Sequence, residues 1–498
     1  MTSFATDPSA PPPPPGPTPR PPADVRGLMW DMARLTERFD TYMKLPGLAA
    51  EMGYSSIFAH LCDDEGCAIR FESHPELACP HALTHDQLRA WIDHAAAHGQ
   101  VVVPEIECFG HTGYIHRKPG YAHLGFPGAD ELNAIDPTHP QTRRILGDLI
   151  AETASLFDSD WLHVGFDEVD PGTGYRLHRP DPAASWDDLF IEHLHFVDQE
   201  VRRHGKRTLI WADHLLANPA LADRVSRDVL LCDWQYGARV NGTTTRTLQA
   251  AGFEVLACPA SSRATEVVTP GRTTLDNLQQ TARFARRHAP GVGLVNTYWC
   301  PQRMLMGVAE FAVFLGGRWF QNPDAPESDL ASVYARHWHG LPAIAADAAG
   351  RALLDLADLT LTRSEFHDLL RPRHPDTAPA RSADELPALQ DRLADVLECG
   401  ERLRRHRSSV TRHRETYDAF ILAVDLIAWT LRVGIAHHHS SDPHAPRLAE
   451  VGDDLLRRCG ENWETRCHHD DDKRFREVLP GRESILPTVR EACRHLAR

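Results

Sequence analysis

The chain reads as an α/β protein. The expected fold is a (β/α)8 barrel, preceded by a disordered proline-rich tail and followed by an α-helical domain. Three observations predict it. Eight short apolar or β-branched runs recur over about 300 residues, amphipathic stretches separate them, and polar and aromatic residues gather where the runs end. Strands alternating with helices imply a parallel sheet covered by crossover helices. In a closed barrel of this kind the site lies at the C-terminal ends of the strands.

The runs in order are GLMWDMAR (27–34), SSIFAHLCD (55–63), QVVVPEIE (100–107), WLHVGFDEV (161–169), RTLIWADH (207–214), VLLCDWQYG (229–237), FEVLACPAS (253–261) and GVGLVNTYW (291–299). Between the second and third lies THDQLRAWIDHAAAHG, where Thr84 is placed to cap a helix and Gly99 to stop it. PTHPQTRRILGDLIAETASLF precedes the fourth and puts Leu146, Leu149, Ile150 and Thr153 on one helical face. The strand ends carry Asp31 and Arg34, Asp63 and Asp64, Glu107 and His111, Asp167 and Glu168, Trp211 and Asp213, Trp234 and Tyr236, and Tyr298 and Trp299. The seventh run, ending CPASSR, offers little. These patterns divide the chain into a tail (1–22), a barrel (23–322) and a helical domain (323–498) rich in leucine, alanine and arginine.

Bulk composition narrows the function. A formal net charge of −16 disfavours nucleic acid, because phosphate recognition needs a basic face. No run of about 18 apolar residues is evident, so no membrane span is expected. The first 22 residues hold no apolar segment of the secretory kind. The 11 cysteines are scattered without a CxxC pair, which suits free thiols in a reducing cytoplasm. Cys108, Cys232, Cys258 and Cys300 are expected as small apolar fillers. No cofactor is implied. The histidine run 437–439 and the pair His468–His469 read as exposed helix ends, so no metal is expected.

Asp167 and Glu168 close an apolar run, where two carboxylates need a reason. Beside a histidine and several tryptophans they suggest sugar chemistry. Indole faces stack on pyranose rings, and one acid, its pKa raised by a neighbour and by exclusion of water, donates a proton to a leaving oxygen. Adjacent strand residues face opposite ways, so the strand must end or kink at Asp167–Glu168. His163, earlier in the run, is expected to pack inside the barrel with a polar link to a neighbour. Trp91, Trp186, Trp319, Trp338 and Trp429 fall on helical patterns and are expected as packing.

HVGFDEV resembles the His-x-Gly-x-Asp-Glu signature of glycoside hydrolase family 20, the β-N-acetylhexosaminidases. GLMWDMAR looks like the family's first strand, HLCDDEG like its second-strand His-Leu-x-Asp-Asp motif, and VPEIECFGHT like its third-strand motif, with Glu107 replacing the usual aspartate and His111 kept. LNAIDPTHPQT also fits. The resemblance covers residues 24–320 and leaves the C-terminal domain aside. It implies a retaining enzyme without an enzyme nucleophile, in which the substrate's 2-acetamido oxygen attacks the anomeric carbon. Glu168 would be general acid and then base, and Asp167 would orient the acetamide. Arg34 would grip sugar hydroxyls, joined in the binding set by Asp63, Asp64, Glu107 and His111. Trp211, Trp234 and Trp299 would box in the sugar.

The sequence departs from the family at two places. The seventh run lacks the tyrosine and aspartate expected there, leaving Tyr236 and Tyr298 as candidates to replace the tyrosine. Pro301 stands where a hydroxyl-binding glutamate is usual. The implied partner is a small glycan or glycoconjugate, with a homodimer an open option. Three other readings stay open: a glycosidase of different sugar preference using Glu105 or Glu107 with Glu168; a metal-dependent barrel hydrolase using His60, His111, Asp213 and His214; and an inactive sugar-binding protein.

Overall fold

The computed structural model describes residues 22–126, 134–169, 185–263, 265–371, 385–438, 445–468 and 485–496. The expected tail lies outside these residues, Pro22 excepted. Eight parallel strands form a closed barrel: β1 (Arg26–Asp31), β2 (Ser56–His60), β3 (Val101–Glu105), β4 (Trp161–His163), β5 (Arg207–Trp211), β6 (Leu230–Trp234), β7 (Val255–Cys258) and β8 (Gly293–Tyr298). Pairing of β1 with both β2 and β8 shuts the ring. All eight runs read from the sequence are strands.

Period-two alternation divides each strand between two cores. Met29, Phe58, Val103, Leu209, Leu230, Leu256 and Val295 meet inside the barrel. Leu28, Trp30, Ile57, Ala59 and Val102 face outward under the helices. Two residues beyond the inner apolar layer the inward positions turn polar. Asp31 pairs in register with His60, His60 with Glu105, and Glu105 with His163. That row of four buried polar side chains is the floor of the site.

The covering helices follow the expected signals. Thr84 caps α1 (His85–Ala97) in a reciprocal box with Gln87. Pro140 opens α2 (Pro140–Leu156), which buries Leu146, Leu149, Ile150 and Thr153. Past β7, Pro259 breaks the strand and a bulge shifts Ala260–Ser262 onto β8. The Trp91, Trp319, Trp338 and Trp429 rings are fully buried, and Trp186 stacks on Phe109.

The C-terminal region is helical, as read. Its central helix, α3 (Arg414–Ala436), corrects one expectation: it is long and apolar enough to cross a membrane. It is nevertheless mostly buried inside the protein. A helix apolar all round serves equally as a core helix, and here neighbouring helices cover it. Arg466 ties this region to the barrel through a buried ion pair with Glu310. Arg38 adds bonds to the backbone carbonyls of Glu464 and Thr465.

Candidate active site

A cavity of about 230 Å³ opens at the C-terminal ends of the strands. Arg34, His60, Glu107, His111, Asp167, Glu168, Trp211, Trp234, Tyr236, Arg263, Thr265, Trp299 and Cys300 line it. The chain brings both adjacent acids here by leaving the sheet early. β4 stops at His163, and Gly165, Phe166 and Glu168 all take positive φ, at 72°, 78° and 50°. For Phe166 and Glu168 this is a costly conformation that persists only where the surroundings hold it. The kink foreseen at Asp167–Glu168 thus spans four residues. Two glycines of the motifs are required by close approach. A Cβ on Gly165 would lie 1.6 Å from Glu107 Oε2, and one on Gly110 would lie 2.1 Å from the Asp167 carbonyl oxygen.

His111 links the acids to the wall behind. Its Nδ1 is 2.9 Å from Asp64 Oδ2, and its Nε2 is 3.3 Å from Glu168 Oε2 and 3.7 Å from Asp167 Oδ2. Burial alone would lower its pKa, but Asp167, Asp63, Asp64 and Glu168 outweigh that and hold it well above the ordinary histidine range. Arg34 lies over the Trp299 ring at 5.2 Å, with Nη1 3.0 Å from Asp31 and Nη2 2.6 Å from Asp63. Asp63 and Asp64 are themselves buried behind the cavity surface rather than on it. They place Arg34 and His111, which corrects their expected role as sugar contacts. The cause is the small hairpin of Cys62–Asp63 against Gly66–Cys67, which turns both carboxylates inward.

The four carboxyls nearest the cavity have distinct states. Glu105 in the floor is engaged by His60 Nδ1 at 2.7 Å, His163 Nδ1 at 3.1 Å and Trp211 Nε1 at 2.9 Å. Burial works to raise its pKa, but His163 and His60 outweigh it and hold Glu105 ionised, below the usual range. The link expected of His163 is this contact. Glu107 sits against Gly165 with Oε2 buried and unpartnered. Burial, Asp167 and Glu105 push its pKa well up. Asp167 is 18% exposed, and burial, opposed by His111 and aided by Asp213 and Glu168, pushes it to about 7. Glu168 reaches furthest into the open, with 59% of its side chain exposed.

Aromatic rings form the opposite wall. Trp211 and Trp299 meet edge to face at 5.9 Å, and Trp234 stacks on Tyr236 at 5.2 Å. Trp299 Nε1 donates to the Tyr236 hydroxyl at 2.7 Å. Tyr298 is not part of this wall. It faces the outer core and lies on Trp30 at 4.5 Å, 3% exposed. Strand alternation sends Tyr298 outward because Trp299 points inward, so the expected sugar contact at Tyr298 is corrected.

One residue and one role were missed in the sequence. The seventh run does contribute: just past its end, Arg263 lines the cavity, donating to the Tyr236 carbonyl at 3.0 Å and to Glu266 at 2.7 Å. Its signal was one basic residue after a strand break. Asp213 and His214 grip the acid loop from β5. Asp213 Oδ2 accepts from the Glu168 N–H, and His214 Nε2 from the Val169 N–H, each at 3.1 Å.

Two clusters, His60 with Glu105 and Glu107, and Asp63 with Asp64 and His111, are tight enough to surround a cation. In both, the histidine is already bound: His60 through both nitrogens to Glu105 and Asp63, and His111 to Asp64. These clusters act as ion-pair networks that neutralise buried acids. The described ends of the two histidine runs lie elsewhere: His437 and His438 end α3, and His468 stacks on His81 at 3.8 Å, while His439 and His469 lie outside the described residues.

Fold and site together define a (β/α)8 barrel with a paired-acid pocket walled by tryptophan. Known sequences are similar over this barrel. The sequence model for glycosyl hydrolase family 20, catalytic domain, matches residues 24–266. A β-hexosaminidase of Emericella nidulans is 26% identical over 312 residues, 55% of this chain and 50% of that protein. One of Vibrio furnissii is 26% identical over 42% of this chain and 39% of its own length. The chain thus spans half or less of these relatives. A solved family 20 exo-β-N-acetylglucosaminidase of Vibrio harveyi superposes with a TM-score of 0.49 at 20% identity, over 61% of this chain and 56% of that one.

Proposed function

We propose that the chain is a retaining exo-β-N-acetylhexosaminidase that removes terminal β-linked N-acetylglucosamine or N-acetylgalactosamine with the help of the substrate's own acetamide. One observation carries the reading. Among the described carboxyls at the cavity, Glu168 alone combines wide exposure with a place at the mouth. Glu105 is engaged by His60, Trp211 and His163, and Glu107 is packed against Gly165 with its pKa pushed well up. Neither offers a free carboxylate as nucleophile, which weighs against a glycosidase using Glu105 or Glu107. A substrate oxygen fills the role.

In the proposed reaction Glu168 gives its proton to the leaving oxygen as the anomeric C–O bond breaks. The acetamido carbonyl oxygen closes on the anomeric carbon to form an oxazolinium. Asp167, ionised, accepts the acetamide N–H and steadies the developing positive charge. Water then attacks the same carbon, its proton passes to Glu168, and configuration is retained; this is the substrate-assisted exception to the two-carboxylate scheme. Tyr236 is the tyrosine in the pocket. Its hydroxyl accepts from Trp299, and burial keeps it protonated, so its own hydrogen is available to the acetamide oxygen. A cytoplasmic location is part of the proposal, supported by eleven free thiols.

The test is nitrophenol release from the N-acetyl-β-glucosaminide, with the plain β-glucoside as control. Turnover of only the N-acetyl sugar is expected. Glu168→Gln is expected to lower kcat about 10²–10⁴-fold. Equal turnover of the plain glucoside would overturn substrate assistance.

A further inference from the structure

The acid loop is held from one neighbouring strand, and the holder is a residue with no assigned role. β5 ends at Trp211, and two residues later Asp213 starts the short helix Asp213–Ala217. Asp213 and His214 accept two consecutive backbone N–H groups of the acid loop, those of Glu168 and Val169. Glu168 is in the left-handed region, which a glutamate occupies only when its surroundings impose it. The bond from Asp213 falls on that residue's own N–H. The other carboxylate oxygen, Oδ1, is buried without a protein partner. An oxygen left in that state is costly if it serves only as a turn cap, since a neutral acceptor would hold the N–H as well.

We propose that Asp213 is a positioning residue for the acid pair: its Oδ2 fixes the left-handed turn that aims Glu168. The inference rests on the functional reading above. The charged groups around Asp167 are His111, Asp213, Glu168, Glu105 and Glu107. Those around Asp213 are His214, whose Nε2 is 3.7 Å from Oδ2, Glu168 and Asp167. After burial, the opposing influence on Asp167 comes from His111, and Asp213 is the foremost neighbouring charge raising it. Removing that charge therefore lowers the pH at which Asp167 ionises.

Asp213→Asn and Asp213→Ala separate the two roles. The asparagine keeps an oxygen for the Glu168 N–H and drops the charge; the alanine drops both. Two readouts are needed: kcat and KM on nitrophenyl N-acetyl-β-glucosaminide across pH, and a carboxyl 13C NMR titration of Asp167 in aspartate-labelled protein, assigned with Asp167→Asn. The asparagine variant is expected to keep its plateau kcat within about 3-fold, while both the acid limb of kcat/KM and the Asp167 midpoint move to lower pH. The alanine variant is expected to lose about 100-fold in kcat with KM little changed, as an acid displaced by about 1 Å would. Equal losses in both variants with an unmoved titration would overturn the proposal, as would no loss in either. The titration needs no turnover. If wild type fails to hydrolyse the N-acetyl sugar, the functional reading fails, and the Asp167 midpoint still decides whether Asp213 sets its charge.

Discussion

The two halves of the barrel mouth are held in place by different forces. Over β2–β5, buried carboxylates and histidines share a network: Asp64 with His111, Asp63 with Arg34 and His60, and Glu105 with His60 and His163. Over β7 and β8 the bonds run to backbone groups of the chain. Ser262 donates to the Trp299 carbonyl at 2.6 Å, the Thr297 N–H to the Pro259 carbonyl at 2.8 Å, and the Cys300 N–H to Asp31 at 3.0 Å. A buried charge network cannot lose one member cheaply, because the partner stays behind uncompensated. Backbone bonds constrain side-chain identity little. The acid half is therefore expected to be intolerant of substitution, and the far half free to vary. This is where the sequence departs from the family 20 pattern it resembles, at the seventh run and at Pro301.

The sharpest way to break this contrast is His111→Ala. It removes the histidine bonded to Asp64 and a neighbouring charge from Asp63, both fully or nearly buried. A loss of about 3–5 kcal/mol in folding stability is expected by denaturant unfolding, together with loss of turnover. If instead His111→Ala unfolds at the wild-type midpoint, the acid half is not held by charge.

The pH response is the next largest effect, and it has two signs. In the proposed mechanism Asp167 acts ionised, and burial pushes its pKa up to about 7. As pH falls through 7 it gains a proton, and kcat/KM is expected to fall, approaching tenfold per pH unit well below that point. Stability moves the other way. An unfolded aspartate titrates near ~3.9. Between that pH and about 7 the folded form binds the extra proton, so raising pH across this window costs the fold stability while activity rises. A pH–rate profile beside melting curves over the same range checks both, and parallel curves would refute the assignment of Asp167.

How much of this was legible beforehand depends on whether a feature is local. The eight strands, the Thr84 cap and the burial of α2's apolar face are periodic or short-range, and the chain displays them openly. Asp167, Glu168 and His111 stood at strand ends inside motifs, and they converge on the cavity. Asp63 and Asp64 were equally visible, yet a six-residue hairpin decides that they point behind the wall, and hairpin geometry is not a pattern of residue types. Arg263 was hidden by a proline and a bulge, which shift the register that strand counting relies on. The membrane-like length of α3 shows the converse. Composition was evident enough, but only packing decides whether an apolar helix is a core or a span.

The smallest effect gives the finest test, because it compares two tyrosines flanking the same tryptophan. Tyr236→Phe removes the hydroxyl that accepts from Trp299 Nε1 at 2.7 Å. A buried indole N–H left unpaired costs about 1–3 kcal/mol. The ring it belongs to forms the sugar-facing wall beside Trp211. A fall in kcat/KM of about tenfold on the N-acetyl substrate is expected, with a smaller change in folding stability. Tyr298→Phe alters a ring in the outer core, on Trp30 and away from the cavity, so kcat/KM is expected to stay within about 2-fold of wild type. These are neutral side chains at the ends of β6 and β8, and each variant deletes one oxygen atom. A difference between them therefore isolates facing from chemistry. Equal losses would mean that the far wall transmits any disturbance of β8 to the sugar. The backbone-held half would then be as rigidly specified as the charged one.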